Sequence, residues 1–301
     1  MLSCIAGLTA CNEEPLLQFT LSEDGTYYIC EYGYMWAEEK EIEIPSVYKN
    51  KPVAEIGSFH FQYLESVTIP DSVKTIGKGA FDGCGNLKNV SIGSGVTTIG
   101  TSAFQGCTSL ESITIPDNVT TIEELAFNQC DNLKNITFGK GIKTINSYTF
   151  FYCENLKNIV LPDTVEVIGD NAFTSCGLEN ITIGNGLTTI GEYAFRHCKL
   201  KTIVLPSSLS SIGDRAFLEC DNLETVILDG KEKITFGYLP IDECPNFKCI
   251  YAKCTLNQWT AAENTAPFPT IVAVYSETAP KEYPYCWHYV DGEITDWDEI
   301  S

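Results

Sequence analysis

The chain has 301 residues, 44% of them hydrophobic, which is enough apolar material for a core and excludes a disordered polypeptide. Forty acidic against 19 basic side chains leave a net charge of −21, a field that repels nucleic-acid phosphates and anionic lipid headgroups. No apolar run approaches the roughly 18–20 residues of a spanning helix, so any membrane tie is expected to run through a lipid anchor.

At the N-terminus, Leu8 to Cys11 read LTAC after the small apolar run CIAGLTA. This resembles a bacterial lipobox, with Cys11 as the lipidated residue, although the upstream segment is short and lacks a basic region. Residues 1–14 are therefore read as a signal or lipobox remnant or a tail. The next stretch, LQFTLSEDGTYYICEYG, alternates around Asp24-Gly25, the dipeptide expected between hairpin strands. With the degenerate first coil EIEIPSVYKNKPVAEIG, it makes 15–55 an N-terminal β cap.

From there the chain repeats. Leu64, Leu87, Leu110, Leu133, Leu156, Leu178, Leu200 and Leu223 recur at 23 residues, with two steps of 22, which marks a solenoid over 56–250. Each unit reads approximately L-x-x-I-x-I-P/G-x-x-V-x-x-I-G-x-x-A-F-x-x-C-x-x. Ile113-Thr114-Ile115 alternate as a short strand with one buried face. Val119 and Ile122 fit a second extended piece, followed in most units by a glycine turn. Ala126, Phe127 and Cys130 have the spacing of one helical or 3₁₀ turn. A coil one residue layer thick cannot bury itself, so coils stack and each column becomes a ladder. Phe81 to Phe217 form one ladder and Cys84 to Cys220 another, and the cysteines are expected to be reduced packing residues.

The unit I-T-I-P-D-x-V-T-T-I-x-x-x-A-F-x-x-C-x-N-L, nearly intact from Ile113 to Leu133, resembles the BspA-like, or Treponema pallidum-type, leucine-rich repeats. The resemblance covers roughly Ile56 to Ile250. It implies a leucine-rich-repeat superhelix of short strands and single turns with capped ends, an extracellular or cell-surface location, and a role in adhesion. It carries over no catalytic residue.

After Leu223 the pattern decays through ITFGYLPIDECPNFKCIYA, and the aromatic, Pro-rich 251–301 reads as a C-terminal cap or extension. Cys244 continues the ladder. Cys249 and Cys254 leave a disulfide open, either with each other or with Cys286, and their spacing is not that of paired zinc ligands. Repeated Asp131-Asn132 and Asp221-Asn222 pairs lack a calcium-loop spacing and read as turns. His197 falls between ladder positions, His60 in the irregular first coil, and His288 beside Cys286 with no third catalytic partner indicated. No metal or other cofactor is expected.

Binding is instead expected on the outward columns of the leading strands, which should form a continuous sheet. The candidates are Asn135, Asn158, Asn180, Thr182, Thr202 and Thr225, with Val160, Val204 and Ile227 as an apolar contact point. The expected function is a monomeric, non-enzymatic binding module for an extracellular or surface protein or glycan. An envelope spacer, or an enzyme with its site in the C-terminal cap, are the other readings.

Overall fold

A computed structural model of the chain describes residues 17–32, 39–59, 62–230, 234–253, 272–275, 286–290 and 293–296. Each repeat is one turn of a solenoid. A leading strand such as Ser112–Thr114 or Asn158–Leu161 is followed by a two-residue second strand such as Thr121–Ile122 or Val167–Ile168, then by a turn-rich corner. Both strand types pair in parallel with their counterparts in adjacent coils, because successive coils run in the same sense. Three apolar walls meet inside. Leu110, Ile113 and Ile115 come from the first side, Val119 and Ile122 from the second, and Ala126, Phe127 and Cys130 from the corner, all at 4% exposure or less.

The corner departs from the expected helical or 3₁₀ turn. The amides of Leu125, Phe127 and Gln129 donate to Ser147, Thr149 and Phe151 of the next coil, at 3.2, 3.0 and 2.8 Å. Asn128 and Cys130 donate back to Leu125 and Phe127 at 3.0 and 3.3 Å. A helix keeps all its amides along its own axis. Here left-handed backbone at Leu125 and Gln129, φ +60° and +57°, breaks that run and turns alternate amides toward the neighbouring coil. Apolar spacings of one, three and four suit either arrangement, and the demand for lateral hydrogen bonds in a stack decides between them.

The aromatic ladder begins one coil early, at Phe59, and from Phe81 to Phe217 consecutive rings stack at centroid distances of 5.3–5.6 Å. Beside it every cysteine donates its thiol to the phenylalanine carbonyl of the preceding coil. Cys130 Sγ lies 3.2 Å from Phe104 O and Cys176 Sγ 2.8 Å from Phe150 O. The same Phe104 carbonyl also accepts the Cys107 amide at 3.2 Å, so both its lone pairs are used. Cysteine thus supplies both a small apolar volume and a donor at this slot.

An alternation runs through the coils that the repeat length conceals. After the leading strand the chain reads Pro70-Asp71, Gly93-Ser94-Gly95, Pro116-Asp117, Gly139-Lys140-Gly141, Pro162-Asp163, Gly184-Asn185-Gly186, then Pro206. Asp71, Asp117 and Asp163 accept the backbone amides of Ser94, Lys140 and Asn185 in the following coil at 2.7, 3.1 and 2.8 Å. The glycines let the backbones touch: a Cβ on Gly95 would sit 1.8 Å from Asp71 O, and one on Gly186 2.0 Å from Asp163 O. The structural period is therefore two coils.

The leading strands follow this period. Register is continuous across each proline-to-glycine step, as in Ser66–Ile69 with Asn89–Ile92, Ser112–Thr114 with Asn135–Thr137, and Asn158–Leu161 with Asn180–Ile183. The expected continuous sheet is instead interrupted after Ile92, Thr137 and Ile183. Each interruption precedes a strand running into Pro116, Pro162 or Pro206, which lacks the N–H that Gly184, at the same position, donates to Leu161 O at 3.1 Å. Ion pairs beside the leading strands join the coils of each of these steps, Glu65–Lys88, Glu111–Lys134 and Lys157–Glu179, and others join the end coils, Lys40–Glu65, Lys201–Glu224 and Lys248–Glu224.

At the N-terminal end Leu17–Leu21 and Tyr28–Tyr32 form an antiparallel hairpin around Gly25, φ +72°, and Tyr28–Tyr32 continues in parallel onto Lys51–Ile56. Glu41–Glu43 already pairs with Ser66–Ile69, so the coil ladder starts before residue 56. At the other end Cys249–Ala252, Val272–Tyr275 and Cys286–Val290 prolong the leading ladder in parallel, and Glu293–Asp296 closes it antiparallel.

Candidate binding surfaces

On the leading-strand face Asn135, Asn158, Asn180, Thr182 and Thr202 are exposed, and Thr225 is half-buried. Their side chains join along the column: Asn180 Nδ2 donates to Asn158 Oδ1 at 2.9 Å, and the Thr202 and Thr225 hydroxyls meet at 2.9 Å. Val160 and Val204 project into solvent at 63% and 46% exposure. Ile227, expected to be open beside them, is buried at 8%. It lies in register between Val204 and Tyr251, two large side chains that cover it from either side. Val160 is separated from this column by Thr182 and by the interruption after Ile183, so the three apolar residues do not form one patch. Across the first interruption lies a depression of about 400 Å³ rimmed by Ser66, Thr68, Asn89, Ser91, Ser112 and Thr114. Its lining carries hydrogen-bonding groups and no charge.

The residues weighed for chemistry fall into structural places. His197 Nε2 is 2.7 Å from Glu219 Oε2, and Arg196 Nε is 2.9 Å from the same oxygen, a half-exposed ion-pair cluster. Burial pushes the ladder thiols Cys107, Cys130, Cys176 and Cys198 well above the ordinary cysteine range, which suppresses the nucleophilic thiolate. Cys244 continues the ladder through a 2.9 Å bond to Phe217 O, and Cys249 stands on a leading strand. Cys11, His60 and Cys254 lie outside the described residues. Among the described residues no cluster of histidine, cysteine and carboxylate groups could hold a metal, and no helix is long and apolar enough to cross a membrane. Asn132 Nδ2 donates to Thr108 O at 2.8 Å, so the Asp131-Asn132 pair fastens a turn to the preceding coil.

The corner side carries a feature absent from the sequence reading. Tyr148, Phe151 and Tyr152 cluster edge to face, with centroid distances of 5.4 and 4.5 Å. Tyr148 and Tyr152 are 38% and 41% exposed. Beside them Gly106, Thr108, Gln129, Asp131, Tyr152 and Glu154 bound a depression of about 420 Å³. The available signal was the run of aromatics in the coil SYTFFYC, where the coils KGAFDGC and TSAFQGC carry Gly79, Gly83, Ser102 and Gly106 at the positions of Tyr148 and Tyr152.

The profile of the BspA type leucine rich repeat region matches residues 54–176 and 143–262, in six copies. The crystal structure of the pneumococcal vaccine antigen PcpA is similar to this chain with a TM-score of 0.50 and 20% identity, over 87% of this chain and 86% of PcpA. The leucine rich repeat protein of T. pallidum gives 0.49 and 26% over 78% and 91%. A leucine rich cell surface protein of Faecalibacterium prausnitzii gives 0.39 and 22% over 84% and 97%. No curated protein matches. The matched span, the stacked parallel strands and the repeated Phe and Cys ladders establish that the chain belongs to the BspA-type leucine-rich repeat family.

Proposed function

We propose that this protein is an adhesin-like, non-enzymatic module that works outside the cell and binds a protein or glycan across its leading-strand face. The observation that carries the reading is the outward column of amides and hydroxyls, joined in register within paired coils and flanked by the projecting Val160 and Val204. Such a face offers many weak hydrogen-bonding contacts and two apolar anchors to an extended partner. Membership of a family associated with bacterial surfaces supports the location, and lipid attachment at Cys11 belongs to the same proposal. The test is binding of the full chain to a panel of host extracellular proteins, mucins and bacterial glycans at physiological salt. A saturable ligand whose affinity falls about tenfold in Val160→Thr/Val204→Thr, with folding intact, supports the reading. Unchanged affinity removes those anchors, and silence across the panel favours an envelope spacer.

A further inference from the structure

In the paired steps of the leading ladder, two successive amides converge on one carbonyl of the preceding coil. Lys88 and Asn89 donate to Glu65 O at 2.9 and 3.1 Å, Lys134 and Asn135 to Glu111 O at 2.9 and 3.3 Å, and Glu179 and Asn180 to Lys157 O at 2.9 and 3.0 Å. At the interruptions these bonds are missing. The amides of Glu111 and Ser112, of Lys157 and Asn158, and of Lys201 and Thr202 have no backbone acceptor among the described residues. All six residues are exposed. Each interruption thus presents two neighbouring N–H donors toward a point where the paired steps place a carbonyl oxygen.

The interruptions also open the core. In Asn89–Ile92 the inward Val90 and Ile92 are half-buried, whereas Val67 and Ile69 of the preceding coil and Ile115 of the next are each 1% exposed. Val90 and Ile92 line the depression of about 400 Å³ together with the rim hydroxyls of Ser91, Ser112 and Thr114. The second interruption leaves Phe138 half-buried, and the third Ile181 and Ile183. Val160 and Val204 project beside the second and third, at the position that Thr114 holds beside the first. Backbone donors, small polar side chains and apolar surface therefore recur together at three places.

The period selects the occupant. The interruptions recur every two coils, an advance of about 10 Å along the axis. An extended peptide lying along that axis brings carbonyls to one side every ~7 Å and falls out of step. In a β-1,4-linked glycan each sugar is turned about half a revolution from the last, so a given substituent returns to the same side once per disaccharide, over nearly the length of two coils. An acetamido substituent carries what each interruption lacks. Its amide carbonyl takes the place of the peptide carbonyl, and its methyl group meets surfaces such as Val90 and Ile92. The uncharged lining and the net charge of −21 favour a neutral chain over an anionic one.

We infer that the leading-strand face binds a neutral β-1,4-linked N-acetylhexosamine chain laid along the solenoid axis, with one acetamido group at each of the three interruptions. Such a ligand presupposes binding on the leading-strand face and gives that reading a substrate class.

The test titrates the full chain by calorimetry with N-acetylchitohexaose, using N,N′-diacetylchitobiose and cellohexaose as comparisons. The hexamer spans the three interruptions and should bind at least about a hundredfold more tightly than the dimer. Cellohexaose has the same linkage without acetamido groups and should bind at least about tenfold more weakly than the chitin hexamer. Ser112→Pro/Asn158→Pro/Thr202→Pro removes one donor at each interruption. Each position begins a strand, where proline is tolerated, and the variant should lose at least about tenfold in affinity with a cooperative melt retained. Equal binding of cellohexaose, no gain from dimer to hexamer, or full affinity in the folded proline variant would each overturn the assignment. No saturation by the chitin hexamer at about 5 mM, together with a protein ligand that is lost in Val160→Thr/Val204→Thr, would overturn the glycan and leave the leading-strand reading standing.

Discussion

Replacing Gly95 by alanine should unlatch a pair of coils. The new Cβ would stand 1.8 Å from Asp71 O and 2.8 Å from Asp71 C. Reaching an ordinary 3.4 Å contact means parting the two backbones locally by about 1.6 Å. The φ of Gly95 is not positive, so alanine suffers no intrinsic backbone penalty and the whole cost lies in the neighbour. That displacement strains the packed segment by about 1–3 kcal/mol. It also pulls Ser94 N from Asp71 Oδ1, now 2.7 Å apart, a charge-assisted bond worth about 1.5–3 kcal/mol. Because one movement causes both losses, a destabilisation of about 3–5 kcal/mol is expected. Thr164 occupies the equivalent place in a proline coil and already has a Cβ, so Thr164→Ala should stay within about 0.5 kcal/mol. Urea unfolding followed by circular dichroism measures both. Wild-type stability in Gly95→Ala would refute the idea that backbone contact sets the spacing of paired coils.

Phe127→Ala removes a ring stacked on Phe104 and Phe150 at 5.4 and 5.6 Å and should cost about 3–5 kcal/mol in the same assay. For the thiols, mass spectrometry after timed alkylation near pH ~8 should find Cys244 modified first among the described cysteines. The neighbouring Cys220 side chain holds the half-buried Cys244 below the usual range, whereas burial raises Cys107, Cys130, Cys176 and Cys198. Equal rates throughout would contradict this, and disulfide pairs within the ladder would contradict the packing account. Hydrogen bonds and charge from Lys40 and Lys88, at 2.7 and 2.8 Å, bring the Glu65 carboxyl down to about 2. Its folded pKa lies below its unfolded value of ~4.3, so its stabilising contribution is present above that pH and is lost as pH falls toward 2. Thermal melts of Glu65→Gln should therefore differ from wild type at pH 6 and converge with it near pH 2, with a small gap because the pair is solvent-exposed.

The solenoid was legible because its cause is local. A coil with Ile113, Val119, Phe127 and Cys130 at fixed spacing has one way to bury all of them, and repetition states the period directly. The outward columns followed from strand alternation, and Asn135, Asn158, Asn180, Thr182 and Thr202 are exposed as that alternation requires. Apolar spacing fails where two backbones bury the same residues. Ala126, Phe127 and Cys130 read as a helical turn, and only the need to hydrogen-bond the next coil shows why Leu125 and Gln129 take left-handed backbone instead.

The pairing of coils, the burial of Ile227 and the depression at Tyr152 all depend on what lies about one coil away in space and some 22–24 residues away in sequence. Ile227 is outward by alternation and enclosed by Val204 and Tyr251, a fact that appears only when register is known. Tyr152 and Asp131 face one space because Gly106 and Thr108 stack in their columns. By itself the sequence determined the period, the core ladders and the family, since these arise from hydrophobic burial repeated along one chain. Only the tertiary structure decided which coils pair and where the face is interrupted, because glycine contact and proline's missing amide act between coils.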